Sequence, residues 1–408
     1  MDSQNAEIRL LPDPSAPIAI KLLYRVLSNC EQGRLHITTD NETYLIDGKQ
    51  SGPNANITIH HAVKIIKKLG SDGDIGFAEA YMQGDWDTDN LSDFLYWATL
   101  NLDALSAHIE ANIFVRLFNR LRHLTRRNSE RGSRRNISAH YDLGNDFYEL
   151  WLDSTMTYSS AVFTDPSDSL EQAQTQKYEQ LLVSLDATPG QHILEIGCGW
   201  GGFAEHAAKQ GYRVTGITLS TEQLAWAQKR LHNAGLDGLV NLRLQDYRHL
   251  DENFDHIVSV EMFEAVGESY WPGFFDMLFS RLKPGGKIAL QTITIGHQHF
   301  DQYRQNVDFI QRYIFPGGML PSPEVFTQYA EQAGLAVKQA TNYAADYERT
   351  VLLWHQRFNN VVHQIEQLGY DNQFIRMWRY YLSYCEAGFR DGHTGVYQYL
   401  MAKANNDV

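Results

Sequence analysis

Gly197, Gly199, Gly201 and Gly202 fall within six positions, directly after the apolar run His192–Ile196 and ahead of a helical pattern. Glycine lets a strand-to-helix turn adopt positive φ and removes the Cβ that would hold a flat ligand away. The spacing is Gly-x-Gly-x-Gly, not the dinucleotide Gly-x-Gly-x-x-Gly, and no Lys-Ser/Thr follows, which excludes a Walker phosphate loop. An acid, Glu195, precedes the turn. This pattern suits S-adenosylmethionine (SAM) better than NAD; a NAD or FAD site and a purely structural turn are the alternatives. Cys198, inside the turn, reads as a small tolerated residue. With Cys30 and Cys385 it makes neither a metal pattern nor a disulfide framework, which fits a reducing cytoplasm.

The elements that must hold this turn follow a βα alternation. Candidate strands are His192–Ile196, Arg213–Thr218, Val240–Leu244, Phe254–Val260 and Lys287–Thr294, with helices at Thr221–Ala234 and Trp271–Leu282 between them. The pattern predicts a doubly wound parallel sheet of the Rossmann type, with its ligand at the carboxyl ends of the strands. At that edge Thr218, Leu219 and Gln223 stand where a dinucleotide site usually carries an acid. Asp246 is placed either to accept from an adenine amino group or to cap a helix. Glu264 is a carboxylate among apolar residues, costly unless paired, and so a functional candidate beside the alternative of a paired structural group.

The chain has 408 residues and a net charge of −14, which argues against nucleic-acid binding. It shows no signal peptide and no run of apolar residues long enough to span a membrane. The first 115 residues read as a small α/β domain: a helix at 18–30, alternating runs at Arg34–Ile46 and Asn56–Ile59, and helical stretches at His61–Lys68, Phe77–Gly84 and Leu91–Leu105. Residues 116–138 read as a basic helical linker and 139–408 as the catalytic domain. Residues 113–136 carry eight arginines against one acid, Glu130, with an apolar stripe at helical spacing. Such a segment suits an anionic membrane surface or an interdomain helix with a solvated basic face.

Nine motifs in order give the chain a resemblance to the cyclopropane fatty acid synthase family, which includes related lipid methyltransferases. They are Gly84–Trp86, His140–Tyr148, Met156–Ser160, Leu194–Gly202, Val214–Ser220, Leu244–Arg248, Phe263–Gly267, Tyr313–Gly318 and Asp346–Thr350. The resemblance implies a class I SAM-dependent methyltransferase fold behind a small N-terminal domain concerned with dimerisation and membrane docking. It implies SAM contacts from Tyr158, Ser159, Gly197, Cys198, Gly199, Thr218, Leu219 and Gln223, with Gln245 and Asp246 near the adenine. It implies an unsaturated phospholipid substrate, a homodimer, and a peripheral place on the inner face of the cytoplasmic membrane.

Ring-closing members of that family hold a bicarbonate ion in a cage of cysteine, glutamate, histidine and tyrosine. The matching positions here are Ser160, Glu264, Gln291 and Tyr347, so two of the four side chains differ. The alkene attacks the SAM methyl and leaves a carbocation, and the proton then lost determines whether a ring or a methyl-branched alkene forms. Glutamine is no base, although Ser160 retains a donor with which bicarbonate could bind weakly. The expectation is therefore methylation without ring closure. A true cyclopropane synthase, a small-amine N-methyltransferase and an inactive lipid-binding protein are the alternatives. His297 and His299 are candidate replacement bases. Phe147, Tyr148, Trp151, Phe163, Trp271, Phe274, Phe275, Tyr313 and Phe315 are candidates to line an acyl tunnel.

Overall fold

Alternating apolar residues build a small sheet near the start of the chain. The computed structural model describes residues 8–9, 11–12, 15–40, 42–106 and 143–404. Strands β1 (Ile8–Arg9), β2 (Gln32–Thr38), β3 (Thr43–Asp47), β4 (Gln50–Ile59) and β5 (Trp86–Asp87) pair in the order β1-β3-β2-β4-β5. Leu35, Ile37, Tyr44, Ile46, Ala55, Ile57 and Ile59 are buried at every second position, the period of a sheet with one covered face. Helices Ile18–Leu27, Ala62–Met82, Leu91–Leu100 and Asn372–Asp391 belong to the same compact unit. Helix Ala62–Met82 breaks at Gly73, where φ is +59°, and its two arms carry the two helical stretches expected there.

Helix Asn372–Asp391 departs from the expected division of the chain, which gave everything after residue 138 to the catalytic domain. Residues 306–310 and 366–391 fold with the N-terminal unit instead. The helix buries Trp378, Leu382 and Phe389. Ser92 Oγ donates to Glu386 Oε2 at 2.6 Å, and Arg376 Nε donates to the Tyr81 carbonyl at 2.6 Å. A period of 3.6 tells which face of a helix is covered; it does not tell what covers it. The basic segment 113–136, the linker 116–138 and His140, Tyr141 and Asp142 lie outside the described residues.

The second unit carries a seven-stranded sheet of β6 (His192–Ile196), β7 (Arg213–Thr218), β8 (Val240–Leu244), β9 (His256–Val260), β10 (Lys287–Ile295), β11 (Leu335–Asn342) and β12 (Thr394–Lys403). The order is β11-β12-β10-β9-β6-β7-β8. Strands β6 to β10 pair parallel, as expected. Strands β12 and β11 add an antiparallel end that the βα pattern did not announce. The chain winds from β6 out through β7 to β8, then returns to the other side of β6 for β9 and β10. The reversal falls between β6 and β9, and an open sheet leaves its ligand crevice at such a point. Leaving the carboxyl ends there are the glycine turn after β6 and Glu261–Gly267 after β9.

An aromatic core fixes the second of these loops. Phe263 is fully buried, with ring centroids 5.4 Å from Trp271, 5.2 Å from Phe274, 5.5 Å from Phe275 and 5.3 Å from Phe326. Phe326 stacks on Tyr399 of β12 at 4.0 Å. Anchoring Phe263 restrains Glu261 and Glu264 on either side of it. Trp271, Phe274 and Phe275, candidates for a tunnel wall, are packed into this core. Phe326→Ala should therefore lower unfolding stability by about 3–5 kcal/mol, the usual cost of deleting a buried aromatic ring. Urea titration checks this; a change below about 1 kcal/mol would mean the cluster is loosely packed.

Candidate active site

The glycine turn has the backbone its composition demands. Gly197, Gly199 and Gly201 take φ of +81°, +49° and +82°. A Cβ on Gly197 would lie 2.8 Å from the Met262 side chain, whereas the space beside Gly199 is open. The Gly197 and Cys198 N–H groups both donate to the Ile217 carbonyl, at 2.9 and 3.0 Å, tying the turn to β7. Cys198 is buried, and burial pushes its thiol well up, so it is an inert packing residue beside Gly216.

Polar groups line the neighbouring strand ends. Thr218 Oγ1 donates to Gln223 Oε1 at 3.2 Å and accepts from the Ser220 N–H at 3.2 Å; Leu219 between them is half-buried. The Gln245 N–H donates to the Thr218 carbonyl at 3.1 Å, and its side chain donates to the His249 carbonyl at 3.0 Å. Asp246 caps the turn Tyr247–His249: Oδ1 accepts from the Arg248 N–H and Nε, and Oδ2 accepts from Arg248 Nη2 at 2.6 Å. Burial alone would raise its pKa, but the Arg248 bonds outweigh that and hold it below the ordinary value. The cap is thus real, and a carboxylate with three donors retains room for a fourth, such as an adenine amino group.

Tyr158 lies among Tyr148, Trp151 and Trp354, with centroids 5.3–5.6 Å away, and Phe315 at 6.4 Å. Trp200 of the glycine turn donates to Asn145 Oδ1 at 2.7 Å, joining two of the expected motifs. The open face at Gly199, the polar pair Thr218 and Gln223, Asp246 and the Tyr158 aromatic group fit a bound SAM.

The four remaining candidates assemble around a residue given no role in the sequence reading. Glu261 Oε1 accepts from the Ser160 N–H at 2.8 Å and from Gln291 Nε2 at 2.8 Å. Glu261 Oε2 accepts from the Tyr347 hydroxyl at 2.6 Å. The Ser160 hydroxyl donates to the Ala161 carbonyl at 3.0 Å, and Gln291 Oε1 accepts from Gln398 at 2.9 Å. Glu264 Oε1 accepts from the Ile293 N–H, whereas its buried Oε2 takes no hydrogen bond among the described residues.

Helix Ala344–Asn360 clamps the Ser160 segment in place. Besides the Tyr347 bond, Thr350 Oγ1 accepts from the Ala161 N–H at 3.1 Å and Asp346 accepts from the Phe163 N–H at 2.7 Å. The Arg349 guanidinium lies 3.8 Å from the Phe163 ring centre and donates to the Pro166 and Asp168 carbonyls.

The electrostatics of the cluster follow from burial. Burial pushes the Glu261 carboxyl up, while the bonds from Tyr347 and Gln291, the Lys177 charge and the Ser160 N–H act against it. Glu264 is pushed up to about 8, first by burial and then by the Glu261 charge. The partner inventory assigns the charges. Glu261, with three donors, is the ionised member, and Glu264, whose Oε2 is bare and which faces the Glu261 charge, holds the proton. Lys177 is fully buried and pulled down to about 7 by burial, against the charges of Glu261, Asp153 and Glu195. It donates to Ser159 Oγ at 2.6 Å. Glu195 is likewise pushed up to about 8 by burial.

Glu261 and Lys177 are the functional candidates that the sequence did not single out; Glu195 is the acid that precedes the glycine turn. Lys177 had a readable signal, a lysine on the buried stripe of helix Leu170–Ser184. Glu261 stands one residue past β9, at the edge where ligands bind, and that position was its only signal. His297 is an exposed partner of Ser322 (2.8 Å) and Glu324 (3.4 Å), and His299 stacks on His393 at 4.2 Å. Among the described residues, neither histidine hydrogen-bonds to the Glu261 cluster.

Fold and site together define a class I SAM-dependent methyltransferase, an assignment that the comparisons support. The chain belongs to the mycolic acid cyclopropane synthetase family, whose model matches residues 128–399. It is 38% identical over 376 residues to tuberculostearic acid methyltransferase UfaA1 of Mycobacterium tuberculosis, covering 88% of this chain and 86% of that protein. It is 36% identical over 345 residues to the cyclopropane-fatty-acyl-phospholipid synthase of Escherichia coli K12, covering 83% and 85%. The solved structure of mycolic acid cyclopropane synthase CmaA1 complexed with SAH and CTAB superposes with a TM-score of 0.63 at 31% identity, over 66% of this chain and 98% of that one. The protein is an SAM-dependent methyltransferase of the cyclopropane fatty acid synthase type.

Protonated Glu264 links the stability of the fold to pH. A carboxyl whose pKa rises from 4.5 unfolded to about 8 folded keeps a proton that the unfolded chain releases. Its contribution to stability is full below about pH 4.5 and is lost as pH rises toward about 8. Urea unfolding at pH 5 and pH 8 should show a smaller loss of stability over that interval for Glu264→Gln than for the wild type. Equal losses would mean that Glu264 is ionised in the fold.

Proposed function

We propose that this enzyme transfers the SAM methyl group to a cis double bond in an unsaturated phospholipid acyl chain and releases a methyl-branched, unsaturated acyl chain. SAM supplies an electrophilic methyl group on a sulfonium. The alkene needs no activation, so the protein's tasks are to align it, exclude water, stabilise the positive charge left on the chain and choose the departing proton. The rings around Tyr158 suit a cationic neighbour. The Glu261 carboxylate supplies the opposite charge.

One observation carries the choice of product. Positions 160 and 291 hold serine and glutamine, neither able to act as a base near neutral pH; the Ser160 hydroxyl donates to the Ala161 carbonyl, and the Ser160 backbone N–H and the Gln291 amide donate to Glu261. The proton-accepting geometry therefore differs from the cage that the resemblance implies for ring closure. The relatives named as a fatty-acid methyltransferase and as a cyclopropane synthase are nearly equally similar, so the reading rests on the site residues. No described helix is long and apolar enough to cross a membrane. The arginine-rich segment 113–136 supports docking on an anionic lipid surface at the inner face of the cytoplasmic membrane.

Incubation with SAM bearing a trideuterated methyl group and vesicles of monounsaturated phospholipid tests this. Mass spectrometry with proton and deuterium NMR of the acyl products should show an alkene with three deuterons, or two deuterons carried as an olefinic CD2 group. Two deuterons with high-field ring protons and no alkene would instead establish cyclopropane formation. Absence of label from the acyl chains would remove the lipid substrate.

A further inference from the structure

Glu261 has a backbone that a side chain adopts only under constraint. Its φ is +49°, in the left-handed region, and its N–H donates to the Gln291 carbonyl at 2.8 Å. Non-glycine residues held there concentrate at functional positions, because the surrounding structure must impose the conformation. Here the constraint aims the carboxylate at three donors drawn from three chain segments: Ser160, Gln291 and Tyr347.

The same three residues were expected to help hold a bicarbonate ion. They do not fit one. The Ser160 hydroxyl proton is committed to the Ala161 carbonyl, and both ends of the Gln291 amide are bonded. An added anion would also face the Glu261 charge in a buried setting, where like charges exclude each other. Accessibility narrows the choice of base. Ser160 and Gln291 are sealed, and Lys177 is fully buried. Glu261 and Glu264 are half-buried as whole residues in the loop leaving β9, and Glu264 is the protonated member of the pair.

We propose that Glu261 is this enzyme's resident anion and catalytic base, making an external bicarbonate unnecessary. The inference rests on the function proposed above. The alkene π pair forms the new carbon–carbon bond to the methyl group. The methyl–sulfur bond breaks with its pair left on sulfur, giving S-adenosylhomocysteine and a cationic acyl carbon. Glu261 then takes a proton from a carbon next to the cation, and the C–H pair becomes the new double bond. The proton passes from the carboxyl to water after product leaves.

The test measures methyl transfer into phospholipid vesicles in buffer stripped of bicarbonate and in buffer with bicarbonate restored. Wild type should run equally in both. Glu261→Gln should lose at least 100-fold in turnover, within the range that a general base supplies, while binding SAM within twofold of wild type by calorimetry. Glu261→Gly, relieved of the left-handed constraint, should be as slow and should recover at least tenfold with added formate or bicarbonate. That recovery separates a base from a carboxylate that merely braces the site. A bicarbonate-dependent wild type, a Glu261→Gln variant of undiminished rate, or a Glu261→Gly variant that neither anion revives would each overturn the proposal. A wild type that labels no acyl chain overturns the underlying function instead.

Discussion

A buried carboxylate must be surrounded by donors, and around Glu261 that requirement organises the catalytic unit. Its two oxygens take a backbone N–H from the Ser160 segment, an amide from β10 and a hydroxyl from helix Ala344–Asn360. Leaving such a group unpaired in a low-dielectric interior is costly enough to compete with the whole stability of a domain. The three segments are therefore constrained together. The Ser160 segment, next to Tyr158 and Ser159 that were expected to meet SAM, is held to the sheet through the Glu261 carboxylate.

The charge pattern suits a reaction that creates a cation. Two adjacent glutamates share one proton, with the negative charge on Glu261 and the neutral acid at Glu264. Lys177, depressed to about 7, is fully buried, donates to Ser159 Oγ and moderates the Glu261 charge. Aromatic rings about Tyr158 add polarisable surface. A preorganised negative site of this kind stabilises developing positive charge without reorganising during the step.

Much of this was legible in the sequence. The glycine spacing gave a turn of the expected shape, the five parallel strands lie within two residues of their expected bounds, and Glu264, Gln291, Ser160 and Tyr347 do gather at one site. What escaped reading depended on contacts between distant segments. Strand β11 is largely exposed and lacks the alternating burial of a half-covered strand, and β12 finds its partners only once β10 exists. Helix Asn372–Asp391 shows its buried face but not its destination. Glu261 carries no local signal of its role because its three donors lie about 30 to 100 positions away. The aromatic residues divided by position: Trp271, Phe274 and Phe275 fill the core behind Phe263, while Tyr148, Trp151 and Phe315 gather about Tyr158.

The most direct measurement is a crystal structure with S-adenosylhomocysteine bound, grown with bicarbonate present, and read at the Ser160 nitrogen, Gln291 Nε2 and the Tyr347 hydroxyl. The Glu261 carboxylate should lie within hydrogen-bond distance of all three. A separate anion on those donors, with Glu261 turned away, would contradict that placement.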